Sequence, residues 1–255
     1  MIEELLEKFC ITRIKNGVSK KENVNIISEY TLNINLNNKS ITSLICLPKN
    51  LEELTIGYLI SEGIIKNLNE ITHIEKRLPN FFIQTEKKMD NLDQYLELRS
   101  SGCIGIKQTW NQQIKTVESS IKIDIKTIFT VQKIVNEKCV LWKISGGTHS
   151  AAAFKESGEL IAFFEDVGRH NAVDKIIGHL YLKEIDPTNC LLVTTGRQSA
   201  GMVLKAIRAG FPIIISNTAP IVQGVELARK YNVTLICFAR EPTFSIYSNE
   251  DRINL

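Results

Sequence analysis

The C-terminal quarter of this chain constrains its fold more than any other part. Short apolar runs rich in β-branched residues, LLVTT at 191–195, PIIIS at 212–216 and VTLICF at 233–238, alternate with amphipathic stretches at 199–209 and 222–231. An uninterrupted apolar run suits a strand buried on both faces, and the amphipathic stretches suit crossover helices. Repetition of this kind predicts an α/β fold: a mostly parallel sheet with helices on both faces. Upstream, Ile128, Val131, Ile134 and Val135 predict a helix capped by Thr127. A strand over Val140–Ile144, a strand over Leu160–Phe164 and a helix presenting Val173, Ile176, Ile177 and Leu180 then follow.

The N-terminal part reads differently. Asn25–Ile34 and Ser40–Leu47 predict two strands joined at Asn37-Asn38. Asn50, with Glu53 three residues on, has the spacing of a capping box, and Gly63 is placed to stop the helix it opens. Residues 68–98 alternate weakly as further strands, and the polar stretch 107–126 marks a shift in composition. These signals divide the chain into a smaller N-terminal α+β part, residues 1–115, and an α/β domain, residues 116–255.

Composition excludes several classes. With 44% hydrophobic residues among 255, the chain can bury a substantial core. A net charge of +3 is too small for a duplex-binding surface, so no nucleic-acid partner is expected. No apolar run approaches the roughly 20 residues that span a bilayer, and MIEELLEKFC lacks the basic start of a signal peptide. The expectation is a cytoplasmic protein with no membrane partner. Its six cysteines are dispersed, as reduced thiols are. Cys46, Cys139, Cys190 and Cys237 lie in or beside apolar runs and read as core residues.

The chemistry concentrates between Ser145 and Ala200. Glu165, Asp166, Arg169, His170, Asn171, Asp174 and Lys175 fall within eleven positions. Such a block destabilises a fold unless its groups pair with one another or with a ligand. A structural network (Arg169 with Asp166, Asp174 with Arg169 or Lys175) and a functional wall are both open readings. In the wall, His149, which follows a predicted strand, joins Glu165, Asp166, Arg169 and His170, and one of the histidines could donate a proton. Ligands of α/β sheets gather beyond the carboxyl ends of strands. Three segments fall at such ends: Glu165–His170, Thr195-Gly196-Arg197 and Ala239–Thr243. Thr195, Gly196 and Arg197 could cradle phosphate with backbone N–H groups and a cation. A tight turn with an exposed arginine fits those residues as well. Cys103, in the loop SSGCIG between Arg99 and Lys107, has the surroundings that favour a thiolate. His73-Ile74-Glu75 matches half of a zinc-deaminase signature, but no P-C-x-x-C accompanies it, and no metal site is expected.

Taken together, PKNLEELTIGYLISEGII, SSGC, SGGTHSAA, EDVGRHNAVDKIIG, TTGRQSAGMVLKAIRAGFPIIISNTAP and VTLICFAR resemble the FdhD family over most of the chain. These are accessory sulfurtransferases of formate dehydrogenase. The resemblance implies a cytidine-deaminase-like domain and a homodimer. It also implies a sulfur carrier that takes persulfide sulfur from a cysteine desulfurase. The acceptor would be the molybdenum or tungsten bis-pterin guanine dinucleotide cofactor, bound as cargo, with GDP as a partial mimic. It places the persulfide on Cys103 and the cofactor-binding segment on Phe238, Ala239, Arg240, Glu241, Pro242 and Thr243. The sequence departs from the family in having Ile104, Gly105 and Ile106 where a second loop cysteine is common, and in Gly201 and Ile221. Two other functions stay open: a chaperone that delivers the cofactor without transferring sulfur, and a zinc-dependent nucleobase deaminase.

Overall fold

The computed structural model describes residues 2–86 and 114–254. Cys103 and the SSGC loop lie outside the described residues. The chain opens with a two-stranded antiparallel ribbon, β1 (Leu6–Lys15) and β2 (Val18–Ile27). Asn16 and Gly17 both take positive φ at its tip, as a two-residue hairpin turn requires. Next come β3 (Tyr30–Leu36) and β4 (Lys39–Cys46), turned at Asn37-Asn38 with φ of 47° and 65°. Helix α1 (Leu51–Ser61) leads to β5 (Ile71–Arg77) and β6 (Asn80–Thr85), completing a four-stranded sheet in the order β4-β3-β6-β5.

Asn50 does precede α1, but in a left-handed conformation, and its amide donates to Glu53 Oε1 at 3.1 Å instead of capping backbone N–H groups. Gly63 ends the helix at φ 73°, as expected. Helix α1 is apolar around its circumference, and Leu54 through Ser61 are all buried.

After Ile114, a short β7 (Ile123–Asp124) precedes α2 (Ile125–Lys138), whose N-cap position is Asp124 and not Thr127. The segment expected as a strand at Val140–Ile144 is instead a one-turn-and-a-half helix, α3 (Val140–Ser145). The cause lies far away in sequence. The Glu165 carboxylate accepts from Leu141 N (3.0 Å) and Trp142 N (2.8 Å), satisfying N–H groups that a helix start leaves open, and Gly146 at φ 67° closes the other end.

The remaining elements form the central sheet and its helices: β8 (His149–Lys155), β9 (Leu160–Asp166), α4 (Arg169–Leu182), β10 (Cys190–Thr194), α5 (Ala200–Ala209), β11 (Ile213–Ser216), α6 (Val222–Lys230), β12 (Thr234–Arg240) and β13 (Thr243–Ser248). A final β14 (Ile253–Asn254) pairs with β7. The sheet order is β13-β12-β11-β10-β8-β9. The α/β class is as expected, but the sheet is mixed. Only β10-β11 and β11-β12 pair in parallel, while β8, β9 and β13 join antiparallel. Two tight hairpins, which apolar runs do not announce, account for the difference.

Side chains alternate across this sheet as a period of two demands. Leu191, Val193, Ile213, Ile215 and Ile236 face α2, with Ile128, Val131 and Val135 against them. Leu192, Ile214, Leu235 and Cys237 face the other way, into one cluster with Val173, Ile176, Val203 and Ile207. That second cluster continues through α1 to Leu32, Ile34, Phe81 and Ile83 of the four-stranded sheet, so one core crosses the 115/116 division. Burying a side chain of this size contributes roughly 1.5–3 kcal/mol. Helices α1 and α4 touch at glycines: a Cβ on Gly57 would lie 1.7 Å from Asp174 O, and one on Gly178 1.9 Å from Glu53 O. Among the described residues no helix is long and apolar enough to cross a membrane.

Candidate functional site

The antiparallel arrangement of β8 puts its first residues at the same sheet edge as the carboxyl ends of β9, β10, β11 and β12. A cavity of about 680 Å³ opens there. Thr148, His149, Ser150, Thr195, Asn217, Thr218 and Arg240 line the sheet side, and Asn136, Cys139, Trp142 and Lys143 the α2–α3 side. Lys143 and Arg240 bring positive charge, and among the described residues the lining contains no carboxylate. Arg240 is held in place by its Nε, which donates to Asn217 O at 3.1 Å.

Several expected residues meet here, and several do not. His149 lines the cavity, although it begins a strand and does not follow one. Burial, and then the charge of Arg169, lower its pKa, so its imidazole is neutral at neutral pH. A neutral ring accepts or donates a hydrogen bond there, but it carries no extra proton to give away. His170 is 8% exposed and outside the cavity lining. Its pKa is pushed down to about 3 by burial first, then by Lys205 and Arg169.

Asp166 is a scaffold residue. It is fully buried and pairs with Lys175 at 2.6 Å. It also accepts from Leu47 N (3.1 Å), Gly168 N (3.0 Å) and Asn171 Nδ2 (2.9 Å), tying α4 to the segment after β4. Glu165 likewise serves structure, holding α3 and accepting from Thr148 Oγ1 at 3.0 Å. The network reading of this block holds in kind for Asp166 and Asp174, with different pairs from those expected: Asp166 with Lys175, and Asp174 with Lys205.

The Thr195-Gly196-Arg197 turn is also rearranged. Thr195 N donates to Ser150 O at 3.0 Å and Gly196 N to Thr194 Oγ1 at 3.2 Å, so neither amide is available to cradle phosphate. Gly196 is needed for space: a Cβ there would lie 2.9 Å from Arg169 Cβ. Thr195 reaches the cavity, whereas Arg197 is exposed and outside its lining.

The Phe238–Thr243 segment comprises the end of β12 and the turn into β13. Phe238 is an extra residue in the β12–β13 ladder, at φ 52° and 46% exposed. Ala239 is buried against α2, Arg240 ends the strand, Glu241-Pro242 make the turn and Thr243 starts β13. Cys46, Cys139, Cys190 and Cys237 are buried as expected, and burial raises the pKa of each. Cys139 nevertheless borders the cavity, its sulfur 3.1 Å from Ser150 Oγ.

Sequence reasoning missed a buried charge cluster behind the cavity. Lys205 of α5 is 2% exposed; its Nζ donates to both Asp174 oxygens (2.9 Å each), Glu62 Oε1 (2.9 Å) and Ser61 Oγ (2.8 Å). Arg208 adds a bond to Ser61 O at 2.9 Å. Burial holds the Asp174 carboxyl up at about 6, against the lowering effect of Lys205. The signal available in the sequence was a lysine on the apolar face of an otherwise well-patterned helix.

A mixed α/β scaffold places a polar, cation-bearing cavity at its strand ends, where α/β sheets commonly receive ligands. Its relatives make the class specific. The FdhD/NarQ family model matches residues 27–254, and the chain belongs to that family. Curated relatives named sulfur carrier protein FdhD include those of Methanothermobacter thermautotrophicus (34% identical, covering 89% of this chain and 91% of the relative) and Bacillus subtilis (31%, 95% of each). A crystal structure described as that of a formate dehydrogenase accessory protein, from Desulfotalea psychrophila, superposes with a TM-score of 0.81. It is 26% identical and covers 98% of this chain and all of that one.

Proposed function

We propose that this protein is a sulfur carrier for formate dehydrogenase, and that its cargo is the molybdenum or tungsten bis-pterin guanine dinucleotide. The observation that carries the cargo reading is the cavity at the strand ends. Its volume lies within the range of ligand sites, and the charged groups among its described lining residues are the cations Lys143 and Arg240. That combination suits a diphosphate. Neutral His149, Thr195, Asn217 and Thr218 add hydrogen-bonding groups without opposing charge.

Cys103 is the carrier in this reading, from its family motif and its flanking cations. Its thiolate would attack the outer sulfur of a cysteine desulfurase persulfide. The donor's S–S bond breaks, the donor leaves as a thiolate, and the sulfur remains on Cys103. The buried cysteines are poor alternatives, since burial disfavours their thiolates. A single carrier thiol suffices for this exchange, so the absence of a second loop cysteine is no obstacle.

Mass spectrometry after incubation with a desulfurase and cysteine tests the carrier. One sulfur, about 32 Da, should appear on the Cys103 peptide and vanish in Cys103→Ala. Activation of formate dehydrogenase by Cys103→Ala as fully as by the wild type would leave a delivery chaperone as the function. Calorimetry with GDP tests the cargo site: Arg240→Ala should weaken binding tenfold or more, as loss of a charge-assisted hydrogen bond does.

A further inference from the structure

The net charge of this chain is gathered at the tip of the β1–β2 ribbon. Residues 13–22 carry four cations, Arg13, Lys15, Lys20 and Lys21, against one acid, Glu22, and that balance of +3 equals the net charge of all 255 residues. Glu22 pairs with Arg13, so the three lysines have no acid within the segment. The same tip holds the two most exposed large apolar side chains among the described residues, Ile14 at 72% and Val18 at 70%. The ribbon meets the body mainly at its base, where Ile27 of β2 packs with Leu5, Leu47 and Leu141 of α3. Two strands on their own are marginal in water, so a ribbon of ten residues per strand with an apolar, cationic tip gains from being covered.

The register decides what can cover it. Val18 stands opposite Lys15, and Ile14 opposite Ser19. Successive residues of a strand face opposite sides, so Ile14 and Val18 lie on opposite faces of the ribbon. The cations are divided in the same way: Lys21 shares the face of Ile14, while Arg13, Lys15 and Lys20 share that of Val18. A flat protein surface covers one face only. A lipid interface closes around both, taking the apolar pair to the level of the acyl boundary while the lysine stems reach back to headgroup phosphate.

We propose that the ribbon tip docks this protein on an anionic lipid surface, with Ile14 and Val18 in the headgroup layer and Lys15, Lys20 and Lys21 against its phosphates. Docking at a surface needs no spanning segment, so the shortness of the apolar runs does not oppose it. Three lysines at such a surface strengthen binding on the order of a hundredfold. The ribbon's base borders the strand-end cavity, since a Cβ on Gly147 would lie 2.8 Å from Ile27 Cγ2. The tip is about 30 Å of strand farther out, so lipid can hold it and leave the cavity open.

Co-sedimentation of the full chain with vesicles tests this, using phosphatidylcholine alone and phosphatidylcholine mixed with phosphatidylglycerol. The wild type should pellet with the mixed vesicles, stay in solution with the zwitterionic ones, and come off in concentrated salt, which screens exposed charge. Lys15→Glu/Lys20→Glu/Lys21→Glu should weaken binding at least a hundredfold, and Ile14→Ser/Val18→Ser at least tenfold. All five positions are exposed, so both variants should melt with the wild type and still accept sulfur from a desulfurase. Should either melt low, the lipid and salt dependence of the wild type decides alone. Equal binding to both kinds of vesicle, or none to the mixed ones, overturns the proposal. So does full binding by Ile14→Ser/Val18→Ser, which would reduce the tip to a general site for polyanions. A wild type that ignores vesicles and binds formate dehydrogenase through the same lysines would make the ribbon an arm for an acidic protein, and overturns it as well.

Discussion

Replacing Lys205 by methionine would expose how much the buried charge cluster contributes. In the native protein Nζ lies within 2.9 Å of Asp174 and Glu62 carboxylates, 2.8 Å from Ser61 Oγ and 5.5 Å from the Tyr58 ring centroid. Methionine fills the channel left by the lysine stem, so the loss is electrostatic and not a cavity. The Asp174 carboxylate would remain, its side chain only 2% exposed, without the cation that neutralises it. Orphaning a buried charge in this way costs about 3–5 kcal/mol. For a chain of this size that is a fall in Tm of roughly 6–20 °C. Two further variants sharpen the test. Asp174→Asn in the Lys205→Met background removes the orphan and should restore much of the loss, a coupling that a double-mutant cycle reads directly. Acid should help the single variant too, because an orphaned carboxyl that takes up a proton is no longer a buried charge. Urea unfolding at pH 7.5 and 5.5 measures both effects. A Lys205→Met protein as stable as wild type at pH 7.5, or one that Asp174→Asn does not rescue, would refute the reasoning.

Gly57→Ala should destabilise by at least 1–3 kcal/mol in thermal melts, since its methyl would overlap Asp174 O and must push α1 from α4. His170 is a base held neutral by the fold, so its contribution is present above pH 6.5 and is lost as pH falls toward 3. The gap between 6.5 and about 3 sets a ceiling of roughly 5 kcal/mol. Asp174 acts in the opposite sense: its raised pKa contributes stability below pH 4 that is lost as pH rises through about 6. His170→Gln should therefore flatten the acid limb of stability against pH, and an unchanged limb would assign it elsewhere. Asp166→Asn should lower stability by about 3–5 kcal/mol through the stranded Lys175, while the folded fraction still binds GDP in calorimetry; loss of binding with intact stability would put Asp166 in the site.

Much of this fold could be read from the chain because its inner strands and helices are patterned by local rules. LLVTT and PIIIS are buried on both faces, and the amphipathic helices between them have few alternatives. The failures share a cause in distant partners. Nothing near Val140 announces that Glu165 will cap it into a helix, and nothing near Thr195 says that Ser150 and Thr194 will take up its turn's N–H groups. The Asn16-Gly17 hairpin is legible in its dipeptide alone. At the site, the placing of Thr195 and Arg240 at the sheet edge follows from strand ends, whereas His149 reaches that edge by opening β8 and not by following a strand. The partners of Asp166 and Asp174 depend on packing that no spacing encodes.

Phe238 bears on how this protein tolerates changes of length. From Cys237 to Arg240 the strand takes three steps while its partner, from Ser245 to Thr243, takes two. Excising Phe238 would leave Ala239 opposite Phe244 and Arg240 still opposite Thr243, a ladder more regular than the native one. Bulky residues seldom adopt its left-handed backbone, so that strain would go with it. The residue adds nothing to the β12–β13 ladder, and its one printed backbone bond runs elsewhere, from its N–H to Thr218 O at 3.2 Å. A one-residue deletion there is thus a cleaner probe of purpose than any substitution, because it removes the ring and the kink without disturbing the register of what surrounds them.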